Sequence, residues 1–127
     1  MNNYLVLLLF TGLLLFQSGC ARPPVLLNRI VVFNATGHKV TDVKILHLPT
    51  RKTGQVNAIL PQKMLDIGFS GEPMLAHDAV ISWHDMGGTQ HEVSLLLPKD
   101  KVAAENGLIK ELVYIIHPSG TVTVELH

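Results

Sequence analysis

Residues 108–126 read LIKELVYIIHPSGTVTVEL. Two apolar stretches flank His117-Pro118-Ser119-Gly120, residue types that favour a turn. A three-residue loop with Gly120 in the left-handed conformation sets Ile116 opposite Val122. Tyr114 then falls beside Val124 and Leu112 beside Leu126. Each apolar residue of the second stretch meets an apolar partner, while Thr123 and Glu125 share the other face. A slip by one residue would turn that pattern inside out, so turn chemistry and hydrophobic period select one register. The stretch predicts an antiparallel hairpin with one buried face.

The same period of two continues upstream. Leu26 to Phe33 is an apolar, β-branched run ending in the turn signal Asn34-Ala35-Thr36-Gly37. Thr41 to Leu48 alternates, with Val43 and Ile45 on one face and Asp42 and Lys44 on the other. Pro49 to Gly54 reads as a polar, basic loop, and Gln55 to Leu60 as a short strand stopped by Pro61. Met64 to Phe69 is a further strand, followed by Ser70-Gly71-Glu72-Pro73. Ala79, Ile81 and Trp83 share an inner face, with Asp78, Val80, Ser82 and His84 outside. Asp85-Met86-Gly87-Gly88 is a turn, and Thr89 to Leu97 returns with Val93, Leu95 and Leu97 inward. Pro98 to Gly107 breaks the pattern and reads as a crossover between sheets, with one or two helical turns over Lys99–Glu105.

About eight short strands at this spacing predict an all-β fold. One sheet has two faces to cover, so two antiparallel sheets packed face to face are the economical arrangement. A small β-barrel is the alternative. Trp83 in mid-strand resembles the core tryptophan of immunoglobulin-like sandwiches. The disulfide partners of that fold are missing, so the resemblance is one of architecture. The first strand and Thr121–Leu126 are the candidate edges.

Residues 4–16 read YLVLLLFTGLLLF, and the first charged side chain is Arg22. As a helix this run spans ~20 Å against the ~30 Å of a bilayer core, which suits a secretory leader. Gln17-Ser18-Gly19-Cys20 follows and resembles the cleavage motif of bacterial membrane lipoproteins. Ser18, Gly19 and Cys20 match that motif; Gln17 stands where an apolar residue is usual. The resemblance implies a signal peptide over 1–19, cleavage between Gly19 and Cys20, and diacylglycerol on the Cys20 sulfur. Residues 20–25 become a lipidated tether, with Pro23 and Pro24 extended, ahead of a β-sandwich domain over 26–127. Ala21 after the cysteine resembles the pattern that sends such proteins to the outer membrane. An uncleaved anchor over Met1–Ala21 and ordinary secretion are the alternatives. Cys20 is the single cysteine, so no intramolecular disulfide forms, and acylation removes a free thiol from an oxidising compartment.

Lys and Arg number 10 and Asp and Glu 10, so no basic patch is suggested and nucleic acid is not an expected partner. Seven histidines are the main chemical candidates. If Gly87-Gly88 were a two-residue turn, His84 would face His91 across the hairpin, about 5 Å apart at Cβ, near enough to share a metal. Asp85 or Glu92 would complete such a site, although two ligands fall short of a zinc centre. His38, His47, His77 and His117 read as polar residues at strand ends or loops, and His127 as a fraying terminus. Arg51 and Lys52, near His47, offer a contact for anionic headgroups or an ordinary soluble loop. Ser70, Ser82 and Ser119 lie in no nucleophile elbow, and Asp78, Asp85, Glu92 and Glu111 read as solvated. Asn34-Ala35-Thr36 fits a glycosylation sequon but carries little weight in a bacterial setting. No cofactor motif is present. The expectation is a non-catalytic binding or assembly module with an envelope protein partner. A periplasmic metal-binding protein is the alternative, and an envelope hydrolase the least favoured.

Overall fold

The computed structural model describes residues 27–69, 76–97 and 110–127. Cys20, the leader, the tether, the Ser70–Pro73 turn and the Lys99–Glu105 turns lie outside the described residues. Among the described residues there are eight strands: β1 (Leu27–Asn34), β2 (Val40–Leu48), β3 (Lys52–Ile59), β4 (Met64–Asp66), β5 (Asp78–His84), β6 (Gln90–Leu96), β7 (Lys110–Ile116) and β8 (Val122–Leu126). They form two sheets, β4-β1-β7-β8 and β3-β2-β5-β6, and the fold is a two-sheet sandwich. The barrel alternative is set aside, because among the described residues the strands form two separate four-stranded sheets and not one closed sheet.

The β7–β8 hairpin has the expected register, with Ile116 opposite Val122, Tyr114 opposite Val124 and Leu112 opposite Leu126. Gly120 takes φ +81°, the left-handed conformation that closes this loop. Its neighbour differs from expectation. β1 pairs with β7 in parallel and with β4 on its other side, so β1 is interior and only β8 of the two candidates is an edge. The apolar runs Ile30–Phe33 and Leu112–Ile116 explain this. Strands apolar on both faces suit the interior of a sheet and a parallel pairing.

The segment after β4 changes sheets. Met64–Asp66 pairs with β1, Ile67 N–H donates to Ile30, and Phe69 bridges Gly54 of β3 in the other sheet. β4 is therefore shorter than the predicted Met64–Phe69 strand. Gly54 itself lies inside β3, where a loop was expected. A Cβ there would overlap Ile67 and sit 2.6 Å from Phe69, so only glycine admits these side chains.

The core fills from both sheets with Ile30, Val32, Val43, Ile45, Ile59, Ile81, Trp83, Leu112, Tyr114 and Ile116. Two polar residues are buried with them, Asn34 and His47. His47 corrects the loop reading. It follows Val43 and Ile45 on the inner face of β2, and its Nε2 lies 2.7 Å from the Tyr114 hydroxyl of β7. Its ring stacks on Phe69 at 4.6 Å. Burial lowers the His47 pKa from 6.5 to about 4 and raises that of Tyr114. His127 also departs from expectation, because its backbone N–H and C=O both pair with Glu111 at 2.8 Å.

The connections sort into two ends. The β1–β2, β3–β4, β5–β6 and β7–β8 connections share one end, the loop end. At the opposite end, the base, are the start of β1, the β2–β3 turn, the start of β5, the end of β6 and the start of β7. Residues 98–109 join β6 of one sheet to β7 of the other, as the crossover reading requires.

Candidate functional site

Asn34 fixes the loop end from within. Its Oδ1 accepts hydrogen bonds from the Thr36 N–H (3.0 Å) and Oγ1 (2.6 Å). Its Nδ2 donates to His38 O (2.8 Å) and Ile59 O (3.0 Å), tying the β1–β2 loop to the end of β3. All its polar capacity is used internally, and the residue is fully buried. The sequon nitrogen is thereby unavailable to a glycan in the folded protein.

Two hairpin turns stand beside this loop, and they are alike. Asp85 N–H bonds Thr89 O as His117 N–H bonds Thr121 O, and Gly88 and Gly120 both take φ +81°. Both hairpins therefore have three-residue loops. The β5–β6 register that follows places Trp83 opposite His91 and His84 opposite Gln90. This corrects the two-residue turn and the His84–His91 metal pair. His91 is on the inner face, stacked on Trp83 at 5.1 Å. His84 is on the outer face, its Nδ1 3.3 Å from Asp42 Oδ2. Among the described residues no three His, Cys, Asp or Glu side chains cluster to hold a metal ion.

Between the loops lies a cleft of about 430 Å³. Thr36, His38 and Lys39 line one wall, Asp85 to Gly87 and Thr89 the second, and His117 to Gly120 the third. Val40, Trp83 and His91 also line it. The volume falls in the ~300–1,000 Å³ range of small-molecule sites.

Asp85 organises this cleft. Its Oδ1 accepts the Gly87 N–H (2.9 Å) and Thr89 N–H (3.0 Å), and its Oδ2 is 2.9 Å from His91 Nε2. The His91 hydrogen bond first, and those backbone donors after it, hold the carboxyl below its usual pKa range. An ionised carboxylate only accepts, so Nε2 of His91 carries the proton. The other ring nitrogen is then an acceptor when the ring is neutral. It lies beside Gly120, where an added Cβ would stand 3.6 Å away. A carboxylate-oriented imidazole at a cleft wall is able to accept a hydrogen bond from a ligand. His117 turns elsewhere, its Nε2 2.7 Å from Thr123 Oγ1, and Ser119 Oγ is 2.8 Å from Thr121 Oγ1.

Asp85→Ala is expected to loosen the turn without unfolding the sandwich. Amide exchange at Gly87 and Thr89 should accelerate while that of Ile81 and Leu112 stays unchanged. Unaltered exchange at Gly87 and Thr89 would show that the carboxylate does not organise the turn.

Sequence reading put Asp85 in the turn but missed its role. The signal was present, because Asp two residues before a glycine commonly caps its own turn. Gly19 and Cys20, the expected cleavage and lipid sites, lie outside the described residues. His38 is an exposed cleft residue, and His77 lies at the base.

No family model and no curated protein matches the chain. It is similar in structure to a protein from Eubacterium rectale solved by NMR, with 13% identity and a TM-score of 0.52. The match covers 81% of this chain and 87% of that one. At this identity the likeness is one of fold alone.

Proposed function

We propose that this chain is a small lipoprotein of the outer membrane, facing the periplasm, and a non-catalytic binding or assembly module. It holds an envelope partner at its loop-end cleft. The observation that supports this most is the cleft's position. The first described strand starts at Leu27, at the base, so a lipid on Cys20 would leave the cleft pointing away from the leaflet. The loop end also carries exposed apolar side chains, Leu60, Met64 and Met86, of the kind that partners cover.

Two measurements test the reading. Cys20→Ala should abolish acyl labelling and move the protein from the membrane to the soluble fraction. Retention in the membrane would refute lipid anchoring and support the uncleaved anchor. A photocrosslinker at Met86 should give a discrete adduct in native membranes, lost on His91→Ala, while one at Lys44 on the outer sheet face gives none. Equal adducts at both positions would refute the cleft as the partner site.

A further inference from the structure

We propose that the base of the sandwich rests on a phospholipid surface bearing anionic headgroups, touching it through the β2–β3 turn and the exposed Leu96 at the end of β6. The proposal rests on the lipid-anchor reading and adds to it a contact face. Six residues lie between Cys20 and Leu27, and the seven steps from one to the other reach at most ~25 Å when fully extended. Leu27 is opposite Lys110 at the base, so an anchored chain presents that end to the leaflet.

The rim of the base has suitable chemistry. Pro49, Thr50 and Arg51 form the exposed β2–β3 turn, with Arg51 at φ +59°. No described carboxylate pairs with the Arg51 guanidinium. That contrasts with Arg29, which Asp66 and Glu111 neutralise. At the end of β6, Leu96 is 85% exposed, more than the other large apolar side chains described. Leu48, Asp78 and Leu96 are successive partners across β2, β5 and β6, which puts Leu96 on the same rim, ~10 Å from β2. Asp78, between them, is half-buried, whereas Arg51 is exposed. A guanidinium matches a phosphate, and a leucine beside it is at home at the headgroup boundary. The strands hold the cleft ~20 Å away.

The lipidated full-length protein, purified from membranes and placed on vesicles, allows a direct test. Acylation leaves Cys20 without a reactive thiol, so Thr50→Cys and Met86→Cys each take a single bimane label. With brominated lipids, quenching should be several-fold stronger at position 50 than at position 86. It should also be stronger on phosphatidylcholine mixed with phosphatidylglycerol than on phosphatidylcholine alone, and Arg51→Glu should remove that difference. Equal quenching at the two positions, or none at either, would overturn the orientation. Quenching at position 50 indifferent to lipid charge would overturn the headgroup contact. A chain whose mass shows no acyl group on Cys20 refutes the anchor itself, a result separate from the quenching pattern.

Discussion

Asn34→Asp should destabilise the protein at neutral pH by about 4 kcal/mol, although the two side chains have the same shape. The amide donates to two backbone carbonyls, His38 O and Ile59 O, at 2.8 and 3.0 Å. A carboxylate oxygen in that place repels both and removes their amide donor: His38 O keeps only the Thr36 hydroxyl at 2.8 Å, and the new charge sits where Asn34 has no exposure to water. The other oxygen keeps its bonds from Thr36, so the loss is confined to one half of the group. A protonated carboxyl recovers one donor. The folded-state pKa of the new group is therefore raised. Stability is retained below the ordinary carboxylate pKa and lost as pH rises. Urea unfolding at pH 4 and pH 7 checks this: the gap between variant and parent should narrow at pH 4. A pH-independent gap below about 1 kcal/mol would show that the amide is not the tie between the β1–β2 loop and β3.

Asn34 also shows where sequence reading stops. Asn34-Ala35-Thr36-Gly37 announced a turn correctly, yet a buried asparagine and a solvated one have the same local signature. What distinguishes them is Ile59, which is 25 residues away and reaches Asn34 only once β3 has paired with β2. By contrast, the last hairpin was legible in full, because loop chemistry and apolar alternation each fixed the same register independently. The same test was available for the β5–β6 hairpin. With Trp83 and Val93 both inward, a two-residue turn sets Trp83 against the outward Glu92. A three-residue loop pairs Ile81 with Val93, as observed. The tandem Gly87-Gly88 suggested the shorter turn, and the parity of the strands excludes it.

The parallel β1–β7 pair was less accessible. Alternation reports which face of a strand is buried, and runs such as Ile30–Phe33 have no preferred face to report. The cleft was invisible for a related reason. Its walls come from three loops distant in sequence, and only the folded sandwich brings Lys39, Asp85 and Gly120 together.

His47 was legible and was passed over. It continues the Val43–Ile45 face by two residues, so strand period alone placed it inside the sandwich. Its burial has a consequence that titration should reveal. The unfolded chain binds a proton at this ring near pH 6.5, whereas the folded chain resists it until about pH 4. Between those values the unfolded state holds more protons, so stability falls as pH falls, by up to about 1.4 kcal/mol per pH unit. The full loss is about 3 kcal/mol, a sizeable part of the ~5–15 kcal/mol that holds a small domain together. Asp85, also held low, loses its contribution only lower, as pH falls through its own depressed carboxyl range. His47→Gln provides the comparison. It keeps a hydrogen-bonding group near the Tyr114 hydroxyl and removes the titration, at the expense of the stack on Phe69. Its stability at pH 7 should be lower than the parent's, and the two curves should converge as the pH approaches 4. Curves that stay parallel across that window would mean that the buried imidazole takes its proton as readily in the fold as outside it.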